Sequence, residues 1–300
     1  MKTALALDLG GTKSLLGLVD ENGTVLYSER RPSLFPIDPD GVVDRLASWV
    51  EEMAHRGTFE KIGIGMAGQV NAASGTLVST CLSSERLDLE IASLLSRRTG
   101  YPVIADNDAI TALIGEGWKG AVRDRQHVVL LTIGTGLGGA YRDGRHIFRG
   151  SRGAALQVGH SAFRYDGLPC SCGNKGCAET YISGTGIREA YLRATGTAIR
   201  TEEIFERYRH SDPEARGVVE TFFDQCASLV AGLANLYNPE VFLIGGGVGE
   251  ALPDAELLLI ENRARLLALT ANNEFSLERA ILGNNAGMIG SAYLAHYELA

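Results

Sequence analysis

Positive charge is scarce in this chain. Among its 300 residues, 36 acidic side chains outnumber 28 lysines and arginines, giving a net charge of −8. Binding a phosphate backbone needs a basic surface, so nucleic acid is excluded as the main partner. Cysteine is scarce too: there are five, an odd number that makes no disulfide framework. No apolar run approaches the ~20 residues of a membrane-spanning helix. The N-terminal MKTALALDLGGTK holds only a short apolar run, broken at Asp8, which is not the pattern of a signal peptide. These absences point to a cytoplasmic chain with reduced thiols, and with neither membrane nor nucleic acid as partner.

What is present suits two α/β domains. The apolar fraction of 45% is ample for real cores at this length. TALALDL, KSLLGLVD and GTVLYSERR read as strands, with DENG as a hairpin turn between the last two. A helix follows over 40–55, then the buried strand KIGIGMAG, a loop through 71–86, and a helix ending at Gly100, where a C-terminal glycine belongs. VIADN is a strand running into a helix from Asp108 to Gly117. From His127 the pattern restarts: HVVLLTI, a GTGLGG turn, then AYRDG and RHIF as strands. Helices dominate after that, 213–237 being the clearest, with VFLIGGG as one more buried strand and Gly290–Leu299 as a closing helix. Strand–helix alternation, twice over, predicts two similar halves. They are placed at 1–118 and 119–285, with the segment 286–300 packing back on the first.

Three buried strands end in glycine turns: LDLGGTK (7–13), TIGTGLGG (132–139) and LIGGGVG (243–249). Glycine reaches positive φ and lets a phosphate approach main-chain N–H groups. A single such turn is equally compatible with a plain tight turn; three together favour nucleotide binding. Neither the P-loop nor the dinucleotide fingerprint fits, since GTGLGG returns to a strand. In the first turn Asp8 could hold a hydrated magnesium ion, while Gly10, Gly11 and Thr12, with Lys13 beside them, could wrap a terminal phosphate.

Three of the five cysteines fall in PCSCGNKGC, as Cys170, Cys172 and Cys177, with His160 ten residues upstream. Three thiolates and one imidazole complete a closed tetrahedral zinc site, which is structural rather than catalytic. Glycines 173 and 176 would let the chain fold tightly around the metal. The alternatives are core thiols beside an unrelated histidine, or a short disulfide, which the reducing compartment disfavours.

VGH…PCSCGNKGCAETYISGTGI resembles the zinc motif of the ROK (repressor, open reading frame, kinase) kinases, GExGH followed by CxCGxxGCxE. LDLGGTK, DNDA, TIGTGLGG, LIGGGV and GNNAGMIGSA extend the likeness over nearly the whole chain, and DxGGT with a later GTG turn resembles the phosphate signature of the actin-like sugar kinases. The resemblance implies a two-lobed actin-like (ribonuclease H-like) sugar kinase fold with a cleft between lobes. It implies ATP and a sugar as small-molecule partners, magnesium and a structural zinc ion as cofactors, and a homodimer. Gly134, Thr135, Gly136 and Gly138 would serve the nucleotide's phosphates and Gly245, Gly246 and Gly247 its adenosine end.

Phosphoryl transfer also needs a base to take the proton of the attacking hydroxyl. Asp106, Asn107 or Asp108 could each simply cap a helix; the resemblance assigns Asn107 to sugar hydroxyls and Asp108 to deprotonating the 6-hydroxyl. By the same likeness Gly68, Glu179 and His160 lie at the sugar, His160 with one ring nitrogen on zinc. The alternative for Glu179 is a plain surface glutamate. Three departures fall in the sugar pocket: Gln157 replaces the glutamate of GExGH, Cys81 stands where an asparagine is expected, and Ala67 replaces the proline of a PG turn. Losing a charged hydrogen bond to a ligand costs about 1.5–3 kcal/mol, enough to shift substrate preference. The family also contains transcriptional regulators, which carry a DNA-binding module ahead of this turn. With the turn at Asp8 and an acidic balance, a kinase is expected.

Overall fold

The computed structural model describes residues 2–80 and 86–298. The chain divides into two compact units. The first takes the residues up to Asp124, the strap Ile147–Leu156 and everything from Ile281; the second takes Arg125–His146 and Gln157–Ala280.

In the first unit β1 (Thr3–Leu9), β2 (Lys13–Asp20) and β3 (Val25–Pro32) form an antiparallel meander. β4 (Lys61–Met66) and β7 (Val103–Asn107) add in parallel, for the order β3-β2-β1-β4-β7. α1 (Val42–Ala54), the short hairpin β5 (Gln69–Asn71) and β6 (Thr76–Ser79), α2 (Ile91–Thr99) and α3 (Asp108–Trp118) complete it, with the last helix, α9 (Ala286–Tyr293). The alternation of alanine and leucine in TALALDL explains how both faces of β1 are buried. Leu5, Leu7 and Leu9 point into a deep core with Leu46, Trp49 and Met53 of α1, while Ala6 faces Met288 and Ala292 of α9. On the α9 side the sheet is paved with small residues so that the helix backbone can lie against it. A Cβ on Gly63 of β4 would run into the carbonyl of Ser291, and one on Gly290 into that of Thr111 in α3. Ser291 Oγ donates to the carbonyl of Leu7 at 3.1 Å, pinning the helix to β1.

The second unit repeats the plan. β8 (His127–Ile133), β9 (Leu137–Asp143) and β10 (His146–Ile147), then β11 (Val241–Gly245) and β12 (Ser276–Arg279), give the order β10-β9-β8-β11-β12. Its helices are α4 (Gly184–Thr195), α5 (Thr201–Arg209), α6 (Pro213–Tyr237), α7 (Gly246–Ala251) and α8 (Asp254–Leu267). The bounds of α6 follow from its chemistry. Asp212 accepts the N–H of Ala215 at 2.8 Å, Pro213 opens the first turn, and Asn238 ends it in the left-handed region with φ of 43°. Among the described residues no helix is long and apolar enough to cross a membrane.

Three local expectations need correction. The span expected as a loop after β4 contains the β5–β6 hairpin. The helical stretch expected after residue 148 begins at Gly184; before it lie only single 3-10 turns, Val158–His160 and Ala178–Thr180. The closing helix starts at Ala286, four residues before Gly290, because its glycines serve close packing rather than chain reversal.

Candidate active site

Within the first unit, β1 ends at the DLGGTK turn. The Gly10 N–H donates to the Lys13 carbonyl at 3.1 Å, closing the turn, and Lys13 Nζ donates to Asn284 Oδ1 at 2.6 Å. Gly11 and Thr12 are exposed at the tip. Asp8, half-buried, fills the space beside Gly287 in the first turn of α9: its carboxylate lies 2.8 Å from where a Cβ would stand. Burial pushes its pKa up to about 7, the charge of Asp108 adds to the rise, and Lys13 opposes it.

Asp108 begins α3 directly after β7, and burial raises it to about 6 against the hydrogen bonds it accepts from the Ala109 N–H and the Asn107 amide. Asn107 is the N-cap. Its Oδ1 accepts the N–H of Ala109 at 3.0 Å and of Ile110 at 3.2 Å. Its Nδ2 donates to Asp108 Oδ1 at 2.8 Å and to the Gly68 carbonyl at 2.9 Å. An amide offers two donors and two acceptor positions, and all four are engaged. Gly68 sits at φ of 141°, and a side chain there would collide with the Ser79 carbonyl at 2.5 Å. Asp8, Lys13, Gly68, Asn107 and Asp108 are thus one constellation around the C-terminal ends of β1, β4 and β7, where open α/β sheets carry ligands.

Within the second unit the other two glycine turns meet. Gly247 N lies 3.9 Å from the Cβ position of Gly134, and Gly246, at φ of 79°, packs against the Ile133 main chain. The Gly134 N–H donates to the Gly136 carbonyl at 3.0 Å. Two contacts here escaped the sequence reading. The Gly184 N–H, at the start of α4, donates to the Gly134 carbonyl at 2.7 Å, and Glu179 Oε2 accepts the Leu137 N–H at 2.9 Å. The SGTG run at 183–186 (a serine cap before glycine) signalled the first; nothing local signals the second. Glu179 therefore reaches Gly136 and Leu137 of the GTGLGG turn from the end of the thiol loop.

His160, Cys170, Cys172 and Cys177 converge, their ligand atoms all within 4.8 Å of one another. Cys172 Sγ and Cys177 Sγ are 3.6 Å apart, and Cys170 Sγ is 3.7 Å from His160 Nδ1. Zinc–sulfur bonds of about 2.3 Å in a tetrahedron set ligand atoms about 3.8 Å apart, so the four donors fit such an ion. Burial and the neighbouring thiols push Cys177 up to about 12, a proton that a bound cation would displace. Gly173 and Gly176, at φ of 88° and 72°, make the reversals. Gln157 opens the 3-10 turn ending at His160, accepting the His160 N–H on its carbonyl at 3.0 Å. Thr135 lies within the glycine turn and Gly138 on β9, the strand that follows it; Cys81 lies outside the described residues.

The sequence profile of the ROK family matches residues 4–298. This chain belongs to the ROK family. Among its relatives, a glucokinase of Streptomyces coelicolor is 32% identical over 98% of both chains. An N-acetyl-D-glucosamine kinase of Pasteurella multocida is 31% identical over 96% of this chain and 97% of its own. The crystal structure of a ROK family glucokinase from Streptomyces griseus, in complex with glucose and AMPPNP, is similar with a TM-score of 0.81 at 30% identity, covering 98% and 99% of the two chains. The repeated strand order of the two units is accordingly that of a two-lobed actin-like ROK fold.

Proposed function

We propose that this ROK protein is an ATP-dependent kinase that phosphorylates the 6-hydroxyl of a hexose or N-acylhexosamine. The observation that carries the reading is the pair Asp8, near the end of β1, and Asp108, which opens α3 directly after β7 of the same sheet, close enough for the charge of Asp108 to raise Asp8. One suits a cation and the other a proton. Asp108, raised to about 6, is ionised at neutral pH yet basic enough to take the hydroxyl proton as the oxygen attacks the γ-phosphorus. Asn107 aims it and, with every hydrogen-bonding position engaged, acts on the sugar through Asp108 and Gly68. Gly10, Gly11, Thr12 and Lys13, with Gly134, Thr135, Gly136, Gly138 and Gly245–Gly247, are assigned to the nucleotide, and Gln157, His160 and Glu179 to the sugar.

Asp8 would hold magnesium, which when bound neutralises phosphate charge. His160, Cys170, Cys172 and Cys177 would hold a zinc ion that rigidifies the loop, leaving His160 Nε2 for a sugar hydroxyl. The reading includes a cytoplasmic location and a homodimer, the latter supported by exposed apolar side chains at Leu236, Leu266 and Leu269. Sedimentation at twice 32.0 kDa is the expected result there.

The test is ADP formation from MgATP with glucose, N-acetylglucosamine, N-acetylmannosamine and fructose in turn, with the phosphate located on the product by phosphorus–proton NMR. Sugar-dependent ADP release and a 6-phosphate are expected. Absence of turnover on every sugar, alongside tight binding of one, would replace the kinase with a sugar sensor, a reading favoured by the uncharged amide of Gln157.

A further inference from the structure

A second charge network stands directly behind Asp108. Asp106, two residues before it on β7, is almost wholly enclosed, with its side chain 1% exposed. Its Oδ1 accepts the main-chain N–H of Asn107 at 2.8 Å, and its Oδ2 accepts from Nε of Arg149 at 2.7 Å. Arg149 comes from the strap Ile147–Leu156, distant in sequence, and its Nη2 reaches Glu298 Oε2 at 3.1 Å. A cavity of about 530 Å³ adjoins these three side chains, walled by Ser74, Val103 and Leu294 among others.

The bonds form one chain: Arg149 donates to Asp106, the Asn107 peptide donates to Asp106, and the Asn107 amide donates to Asp108. Each link is specified. A carboxylate this enclosed stays ionised only against a cation with satisfied oxygens, and Arg149 is the cation that touches it. Without it Asp106 would take a proton or turn away, and the Asn107 N–H would lose its acceptor. Because the same asparagine caps α3 and holds Asp108 Oδ1, rotation of its peptide swings the carboxylate that the kinase reading makes the base.

We infer that Arg149 and Asp106 are positioning residues for the reaction: the strap arginine fixes Asp106, Asp106 fixes the Asn107 peptide, and that peptide fixes the aim of Asp108. The inference rests on the kinase reading. Asp106 opens the DNDA stretch but is given no role there beyond a possible helix cap, Arg149 lies outside every motif of the sequence, and neither is assigned to substrate.

Three variants, assayed with MgATP and the four sugars above, test it. Arg149→Met is expected to lower kcat about tenfold to a hundredfold, as misaimed catalytic groups do, with KM for ATP changed less than about twofold. Asp106→Asn combined with Arg149→Met removes the stranded charge yet keeps an amide oxygen for the Asn107 N–H, so kcat returns to within about threefold of wild type. Arg149→Ala opens a guanidinium-sized space onto the cavity, and millimolar guanidinium is expected to restore turnover to that variant while leaving wild type unaffected. If Arg149→Met melts at lower temperature but keeps wild-type kcat, the ion pair is only a staple for the strap and the inference is overturned. A double variant no faster than Arg149→Met overturns it too. A wild-type protein inactive on all four sugars removes the kinase reading itself, and with it the base to be aimed.

Discussion

Asp108 titrates where an ordinary aspartate would already be ionised, because burial raises it to about 6. Asp8, raised to about 7, and Lys13 face the same constellation. Magnesium on Asp8 would hold that group ionised, leaving Asp108 to set the acid limb. The sign follows: the base works deprotonated, so kcat/KM for the sugar is expected to fall below about pH 6 with a slope of one proton, and to level off above it. A profile flat down to pH 5 would remove Asp108 as the base. Asp108→Asn is expected to cost about 10²–10⁴ in kcat while nucleotide affinity is retained. Gln157→Glu belongs to the same scale. It restores an acceptor with charge, and a charged hydrogen bond contributes about 1.5–3 kcal/mol, so kcat/KM ratios among the four sugars should shift by roughly tenfold to a hundredfold. Unchanged ratios would place residue 157 away from the sugar.

The helix α9 and the thiol loop show which elements a sequence reveals and which it hides. α6 was legible to the residue because Asp212, Pro213 and Asn238 are local signals. The thiol loop was legible because its donors lie within eighteen residues, and spacing alone brought them to mutual distances below 4.8 Å. The start of α9 was obscured, since AGMIGSAY reads as flexible until the facing residues are known. Its Gly290 exists for Thr111 and its Gly287 for Asp8, while Gly115 and Gly63 exist for Ala286 and Ser291 in turn. Gly290→Ala should therefore destabilise the protein by about 1–3 kcal/mol through overpacking, although alanine is the better helix former. A raised melting temperature would contradict the packing. Stripping the proposed zinc ion is expected to lower the melting temperature while far-UV circular dichroism changes little, because residues 161–177 contain no helix and only isolated bridges. The contacts of Glu179 to Leu137 and of Arg149 to Asp106 were illegible. Each joins residues more than forty apart, and neither pairing leaves a periodic or compositional trace.

At the scale of the molecule, one strand order appears twice, in two units whose glycine turns follow corresponding strands. That duplication was visible as a restart of the strand pattern at His127. What the fold imposes in addition is an unusual pH balance. Asp20 and Glu29 sit below their ordinary values: burial raises each, but the Thr24 and Asn22 N–H groups on Asp20, and Arg31 and Tyr27 on Glu29, outweigh it. Their contribution is present at neutral pH and lost on acidification. Asp8, Asp106 and Asp108 lie above theirs, so the folded state binds more protons than the unfolded one and their contribution is lost as pH rises from about 4 towards 7. Stability without ligand should therefore fall between pH 5 and 8. Asp8→Asn isolates the part that belongs to Asp8. The gap from 3.8 to about 7 corresponds to about 4 kcal/mol at 1.36 kcal/mol per pH unit, and solvent reaching a half-buried carboxylate reduces it to about 2 kcal/mol. The variant should approach wild type in stability near pH 4 and exceed it by about that amount at pH 8. MgATP should reverse the order, stabilising wild type by about 2.7 kcal/mol at a hundred times its Kd and the variant far less. Equal stability of the two proteins at both pH values would mean that Asp8 carries no strained charge, and the magnesium assignment would fall with it.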